Sequence, residues 1–598
     1  MKIIRENLSI ILLLVVTIIF SLIPILQTYE KVGENWKGVP PEYTSDSLYY
    51  LSRMEDVVHG HIFIGNPYIL EHRNDVSPSF FVADWLASVP LLLGLPLFAS
   101  IIWNIIFWSV ILNLLCYLVF CELGLSKSQS VGASILSYLQ VYWLMLRPVA
   151  MQTVFPFFVL FLFSFILWWK YPDRKKYKYF LIFSSVFTFY IYTYLWQIVA
   201  VSFFLSYIYL FWQKDFSKIK SLIFINILTF FTILPVVFYS LKQIHSPYYW
   251  ESMARIGLVF THIPTLDLFN YGKWVILLGL LCLLLFFFRS NKTDKFFRFN
   301  FLPVFFISGL ALLLTSGSNI ILGKELETAN HIGRFITLWT SIFFLTFLVY
   351  IWNKKEEFFH QNLYKKIAII FLILIITLGY VRNYYLRSIP LVDIGRLDMI
   401  SIQEYAEPLE WFTTNANKDE VIWVLNQSLA DYVPILTKQY VLFHPAAGLQ
   451  IMPSYEVEER YLLSHSLENM TVEDLKKDYR KYSGVGNAVH QANTINRKVK
   501  ICLFIENILP KITKINCGDF VDSYSIRGEK YFESLLQRFS YITKNRQKFL
   551  DSYNVSYILL DKSTDNMSRF SNLPPVYKNI WKNAWQNDRF VILKRINK

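Results

Sequence analysis

Long apolar segments recur over the first two-thirds of the chain. They fall at 8–29, 97–120, 130–147, 150–170, 178–193, 195–212, 220–241, 272–289, 299–316, 335–352 and 365–383. Each is close to the roughly 20 residues a helix needs to cross a hydrocarbon core, so the pattern predicts about 11 transmembrane helices. A twelfth apolar stretch, Phe80–Leu95, is interrupted by Asp84 and Pro90 and followed by Pro96. It either crosses as well or lies in the interface as an amphipathic helix.

Charge chooses between these two. With a cytoplasmic N-terminus and no crossing at Phe80–Leu95, the loops Lys170–Lys178, Gln213–Lys220, Arg289–Arg298 and Asn353–Lys366 fall inside, and each carries a cluster of Lys or Arg. The remaining loops, Arg147–Gln152, Lys242–Tyr271, Ser316–Arg334 and the polar stretch after the first apolar run, fall outside and are poorer in Lys. The positive-inside rule therefore favours eleven spans. The first run, Leu8–Leu26, follows two basic residues and is long enough to serve as a retained signal anchor.

From about Tyr384 to Lys598 the pattern changes. Strand-like runs such as Val421–Leu425 and Val555–Leu560 alternate with charge-patterned, helix-like stretches such as Glu456–His465 and Thr471–Tyr482. The expected organisation is a polytopic membrane domain over 1–383, including a first outer loop at 30–96, then an extracytoplasmic soluble α/β domain over 384–598. The expected location is the plasma membrane.

Composition agrees with this class. Hydrophobic residues make up 54% of the chain and charged residues 17%, below the quarter or so usual for soluble domains. The net charge of +14 lies mainly in short loops between apolar runs, which argues for orientation signals and against a nucleic-acid partner. Cys116, Cys121 and Cys282 sit in or beside membrane helices as small apolar groups. Cys502 and Cys517 lie in the exported segment, where a disulfide is permitted but not fixed by spacing.

Candidate chemistry concentrates in the first polar loop, PEYTSDSLYYLSRMEDVVHGHIFIGNPYILEHRNDVSPSFF from Pro41. Ionisable groups beside a bilayer are costly without a role. Asp46 can be a base, and it can equally be the cap of a helix beginning at Ser47. Glu55 and Asp56 read as the solvated face of that helix. Arg53 is an internal ion-pair candidate, and Glu71-His72 could face Asp46. In the later loops Glu251, Arg255 and His262 fall together, as do Lys324, His331 and Arg334. Arg334 opens a membrane helix at its outer end, where a guanidinium can grip a phosphate or simply snorkel. Tyr190, Tyr192, Tyr194 and Trp196 read first as an aromatic belt and second as a stacking platform for a sugar.

The string Asp46-Ser47-Leu48-Tyr49-Tyr50-Leu51-Ser52-Arg53, followed by His59-Gly60, Asn66-Pro67, Glu71-His72 and Pro78-Ser79-Phe80-Phe81, is similar to the first outer loop of GT-C membrane glycosyltransferases. It resembles the dolichyl- and polyprenyl-phosphate sugar transferases, such as protein mannosyltransferases and aminoarabinose transferases, and more weakly the oligosaccharyltransferases. Two features depart from those patterns. Asp46-Ser47 stands where an Asp-Glu pair is usual, and the only Trp-Trp pair, Trp168-Trp169, is followed by Lys170 rather than Asp.

The resemblance implies a glycosyltransferase that takes its sugar from a polyprenyl-phosphate donor and passes it to an unspecified lipid, glycan or protein acceptor outside the membrane, with Asp46 as base. Arg334 and His331, with Lys324, Arg255, Glu251, Glu71, His72 and Arg53, are the candidate substrate-binding residues. Mg²⁺ or Mn²⁺ assistance is left open, with Asp46, Glu71 and His72 as candidate ligands. Other readings are a transporter or flippase of lipid-linked glycans, or a non-catalytic envelope-assembly scaffold on the same fold. Against transport, no repeated halves are visible and acidic residues are nearly absent from the apolar segments.

Overall fold

The structure is a computed structural model that describes residues 2–260, 262, 302–353, 374, 378–379, 381–382, 398–484, 527–563 and 580–596. Helices occupy nine of the eleven expected positions: α1 (Lys2–Val32), α4 (Leu97–Glu122), α5 (Lys127–Met145), α6 (Val154–Lys170), α7 (Lys175–Ile191), α8 (Leu195–Trp212), α9 (Phe216–Ile244), α11 (Leu302–Ser316) and α12 (Thr328–Asn353), with α2, α3 and α10 described below. The expected segments 272–289 and 365–383 lie outside the described residues, in whole or in large part. Five of the described helices are long and apolar enough to cross a membrane: α1, α4, α8, α9 and α12. Among the described residues, five of the eleven expected segments thus meet that length and composition. Helices α6 and α11 are apolar but only 17 and 15 residues long.

The stretch around Phe80–Leu95 forms α3 (Val82–Leu92), only 11 residues long and about half a bilayer crossing. It packs against α2 (Ser47–Val58), the helix that follows Asp46.

Small polar residues set how closely the helices approach. Ser341 on α12 donates to Ser137 on α5 at 3.2 Å. Tyr138 on α5 donates to Ser109 on α4 at 3.1 Å and meets Ser21 on α1 at 3.0 Å. Short hydroxyls satisfy one another and let backbones come close where larger side chains would not. A Cβ on Gly309 of α11 would come within 2.7 Å of the Trp339 ring on α12, so only glycine fits there. Helix α5 starts with a capping box, Gln129 N donating to Ser126 Oγ and Ser126 N to Gln129 Oε1. Its other end leads directly into Arg147.

The C-terminal segment contains a five-stranded sheet in the order β4-β3-β5-β7-β6. The strands are β3 (Val421–Val424), β4 (Tyr440–Val441), β5 (Val555–Asp561), β6 (Trp581–Gln586) and β7 (Phe590–Arg595). The first three pair in parallel and β7 is antiparallel to both β5 and β6. Strand β5 is buried along its whole length, as the continuous apolar run VSYILL requires of a central parallel strand. Helix α14 (Ser454–Ser464) packs on one side with α15 (Glu529–Lys544), and α13 (Ala406–Asn415) packs with the segment 433–436. A separate short ladder joins β1 (Val259–Phe260) to β2 (Lys324–Glu325).

The sheet does not stand apart from the polar loop after α1. Its Ile422 and Leu559, with Tyr432 beside the sheet, belong to the same buried core as residues of the helices. Residues 65–73 strap the loop to the sheet. Val441 N donates to Tyr68 O at 2.9 Å, Asn66 Nδ2 donates to Ala447 O at 3.2 Å, and the Tyr68 ring stacks on His444 at 4.1 Å. The strap closes on itself where Asn66 N donates to His72 O at 3.0 Å. Gly65 makes this possible, since a Cβ there would sit 2.2 Å from the Arg73 carbonyl oxygen.

Candidate functional site

The turn that leads into helix α2 is fastened by Thr44 and Ser47, not by the Asp46 side chain. Ser47 N donates to Thr44 O at 2.9 Å, and Thr44 N donates to Ser47 Oγ at 3.0 Å. Asp46 occupies the cap position, yet its carboxylate makes no capping hydrogen bond. It is instead gripped by Nη2 of Arg147, which also donates to the Tyr50 hydroxyl at 3.3 Å. The guanidinium lies 5.0 Å from the centre of the Tyr50 ring. Asp46 is 48% exposed while Arg147 is only 9% exposed, so the cation is fixed in the protein and the carboxylate is within reach of solvent. Burial pushes the Tyr50 phenol up from its ordinary range, against the opposing pull of Arg147, which keeps its proton in place.

The loop that carries Arg147 is unusually constrained. Val149 and Met151 adopt φ of 59° and 67°, a left-handed conformation that disfavours a β-branched residue in particular. Both are buried. The turn is held by Gln152 Nε2 donating to Met145 O at 2.7 Å and Thr153 Oγ1 donating to Val149 O at 2.7 Å. Backbone strain of this kind persists where the surroundings over-determine a position, and it clusters at sites of function.

Two helix ends complete the cluster. The Tyr192 hydroxyl meets His331 Nδ1 at 2.6 Å. The Tyr194 ring stacks on the His331 imidazole, 4.4 Å between centres and 6° from parallel, and its hydroxyl donates to Leu326 O. Glu327 lies 3.7 Å from His331 Nε2, and the imidazole beside it holds its carboxyl below the usual range, against its burial. Arg334, one turn into α12 beyond His331, acts through space on Tyr192, Tyr194, Glu327 and His331, and Arg147 acts on Tyr192 and His331 as well. One guanidinium nitrogen of each arginine, Arg147 Nε and Arg334 Nη1, is buried without a hydrogen-bond partner among the described residues. Buried charged donors without acceptors are costly, so this cluster has spare capacity for an anion.

The other expected substrate-binding residues are placed in contacts that hold the fold. Arg53 is bound two-pronged to Asp84 at 2.8 Å for each prong. Glu71 accepts from Arg460 at 2.7 Å, and His72 bridges Asp75 at 2.6 Å and Glu456 at 2.9 Å. The hydrogen bonds to the two carboxylates outweigh burial and raise the His72 imidazole to about 9. On α10 (Tyr249–Ile256), Arg255 donates to Gly448 O, Gln450 O, Met452 O and the Ser252 and Ser454 hydroxyls at 2.6–3.3 Å. Glu251 accepts from Ser454 N at 2.8 Å. Lys324 lies over the Trp250 and Phe260 rings at 5.1 and 5.9 Å. Glu55 and Asp56 correct the expectation of a solvated face. Asp56 is buried and bonded to His61 at 2.7 Å, and burial raises the half-buried Glu55 to about 7.

Sequence reasoning passed over Arg147 and Glu327, gave Tyr50 no role of its own, and read Tyr192 and Tyr194 first as an aromatic belt. The one local signal for Arg147 was a charge abutting the apolar run 130–147, which reads equally as snorkelling.

A divalent metal does not fit the donors at Asp46. Among the described residues no three His, Cys, Asp or Glu side chains stand together. The neighbour of Asp46 is a guanidinium, and the other two candidate ligands, Glu71 and His72, are engaged by Arg460 and by Glu456 and Asp75. Cys502 and Cys517 lie outside the described residues.

No protein-family model matches the chain, and no curated protein matches it. Among solved structures, it is similar to the Archaeoglobus fulgidus oligosaccharyltransferase in the apo form, at 12% identity and a TM-score of 0.47, covering 92% of this chain and 69% of that one. It is likewise similar to the archaeal oligosaccharyltransferase AglB from Archaeoglobus fulgidus in complex with an inhibitory peptide and a dolichol-phosphate, at 12% identity and a TM-score of 0.44, covering 97% and 73%. A third is the Archaeoglobus fulgidus oligosaccharyltransferase in complex with Zn and sulfate, at 12% identity and a TM-score of 0.45, covering 96% and 71%.

Proposed function

We propose that this protein is a membrane glycosyltransferase of GT-C type. It transfers a sugar from a polyprenyl-phosphate donor to an acceptor on the extracytoplasmic side, where the segment 384–598 is exported and the N-terminus faces the cytoplasm across eleven spans. The observation that carries this reading is a half-exposed carboxylate, Asp46, held beside a buried guanidinium, Arg147, in one cluster with Arg334. That pairing suits a reaction in which a nucleophile loses a proton while a phosphate departs.

In this reaction an acceptor hydroxyl or amine attacks the anomeric carbon. Its X–H bond breaks and the proton passes to Asp46. The bond from the anomeric carbon to the phosphate oxygen breaks and takes its electron pair to the phosphate. The charge growing there is met by preorganised cations, the buried Arg147 and the half-buried Arg334. The Tyr192 and Tyr194 rings and His331 form an adjoining wall on which a sugar can lie.

Turnover of a polyprenyl-phosphate-linked sugar by purified protein tests the reading. Wild type is expected to release polyprenyl phosphate. Asp46→Asn is expected to bind donor and turn over about a hundredfold or more slowly, and Arg334→Ala to lose donor affinity. Absence of binding and turnover with every such donor would retire the transferase reading in favour of transport or scaffolding.

A further inference from the structure

We propose that Arg147 is a tethered cation that stands at Asp46 in place of a divalent metal, and that the donor phosphate takes it over from Asp46 on binding. This deepens the transferase reading and rests on it for the identity of the donor.

The geometry of the guanidinium is the starting point. The Nε–Nη2 edge of an arginine is the two-pronged face that matches two oxygens of a phosphate. In Arg147 that edge is half used: Nη2 holds Asp46 and Tyr50, while Nε is buried without a partner among the described residues. A phosphate at this edge would satisfy Nε and compete for Nη2. Asp46, being 48% exposed, can then turn away as a free carboxylate beside the acceptor. Cation and base are coupled, since the ligand that needs the charge is the one that uncovers the base.

The surroundings fit a fixed cation rather than an exchangeable one. The turn from Met145 to Thr153 is buried and pinned, with Val149 and Met151 both left-handed, so the guanidinium is mounted rigidly. Mg²⁺ or Mn²⁺ binds best to several oxygen ligands, whereas the described residues offer Asp46 no second carboxylate in a metal-holding group. A dication placed there would also face Arg147 at close range, and unit charges that near repel by several kcal/mol at an effective dielectric of about 20.

The test uses the full chain with two probes, Mn²⁺ alone and a polyprenyl phosphate without sugar. Manganese binding followed by electron paramagnetic resonance is expected to be the same in wild type and Asp46→Asn. Polyprenyl phosphate affinity is expected to fall about ten- to a hundredfold in Arg147→Gln, and by a smaller factor in Arg147→Lys, which keeps the charge but loses the two-pronged edge. Should Arg147→Gln fail to fold, Arg147→Lys at an unchanged Tm decides. Sugar transfer is expected to proceed equally in EDTA. Mn²⁺ bound by wild type and lost in Asp46→Asn would overturn the proposal, as would unaltered phosphate affinity in the folded Arg147 variants. Chelator-sensitive transfer through Asp46-bound metal leaves the transferase standing and removes this inference. Phosphate binding through Arg147 without any sugar transfer does the reverse. No polyprenyl phosphate binding by wild type removes both.

Discussion

Arg53 grips Asp84 through Nε to Oδ1 and Nη2 to Oδ2, both at 2.8 Å, with each side chain only 2% exposed. This pair ties the helix that follows Asp46 to the helix Val82–Leu92, and Arg53 also donates to the Tyr49 hydroxyl at 3.3 Å. The placement of Asp46 therefore depends on a contact that is not itself part of the candidate chemistry.

Removing one partner should be far worse than removing both. Arg53→Met leaves the Asp84 carboxylate buried and unpaired, and is expected to cost about 3–5 kcal/mol. Arg53→Met with Asp84→Leu should recover a large part of that loss. Thermal unfolding in detergent compares the three proteins, and equal Tm values for the single and double variants would contradict the argument.

Arg255 should behave as a structural residue. Its side chain is 2% exposed and donates to three backbone carbonyls of the segment 448–452. Burial lowers it to about 10 against the pull of Glu251, which still leaves it charged at neutral pH. Arg255→Met is expected to destabilise by about 3 kcal/mol or more and to expose the segment 445–455 to protease, while donor affinity per folded molecule stays unchanged. A selective loss of donor affinity at wild-type Tm would return Arg255 to the phosphate-binding set.

His72 should impose a pH dependence on stability. Both ring nitrogens can donate, to Asp75 and Glu456, only in the imidazolium form. Its folded pKa of about 9 lies above the ordinary value of 6.5. The stabilisation is therefore complete below about pH 6.5 and is lost as pH rises through about 9, and it amounts to on the order of 2 kcal/mol. Tm should fall over that interval in wild type and fall less in His72→Gln. Parallel curves for the two proteins would show that the bridge contributes nothing measurable.

Gly65 should tolerate no side chain. With the Arg73 carbonyl 2.2 Å from a built Cβ, Gly65→Ala must open the strap that Asn66 and Tyr68 fasten to the sheet. A loss of about 1–3 kcal/mol and faster hydrogen exchange over 64–73 are expected. Unchanged exchange there would show that the strap can shift without cost.

What was legible in the sequence is what each segment settles for itself. A run of apolar residues partitions into an apolar phase whatever its neighbours do, and this is why helices lie at nine of the expected positions and why VIWV and VSYILL became buried strands. Asp46 stood out through the resemblance of the string it opens to the first outer loop of a known family, more than through its spacing. The partner of each charge was not legible, because pairing is decided across long stretches of chain. Arg147 and Asp46 are 101 residues apart, and no local spacing distinguishes this arginine from one that snorkels. Arg255 and Arg334 read alike in sequence, yet packing gave one a full set of carbonyl and hydroxyl acceptors and left the other with a nitrogen unpartnered among the described residues. Local hydrophobicity determines the elements, whereas only the tertiary structure decides which buried charges are satisfied by the protein and which are left for a ligand. Desolvation makes that choice, and it acts on the assembled fold and not on the segment.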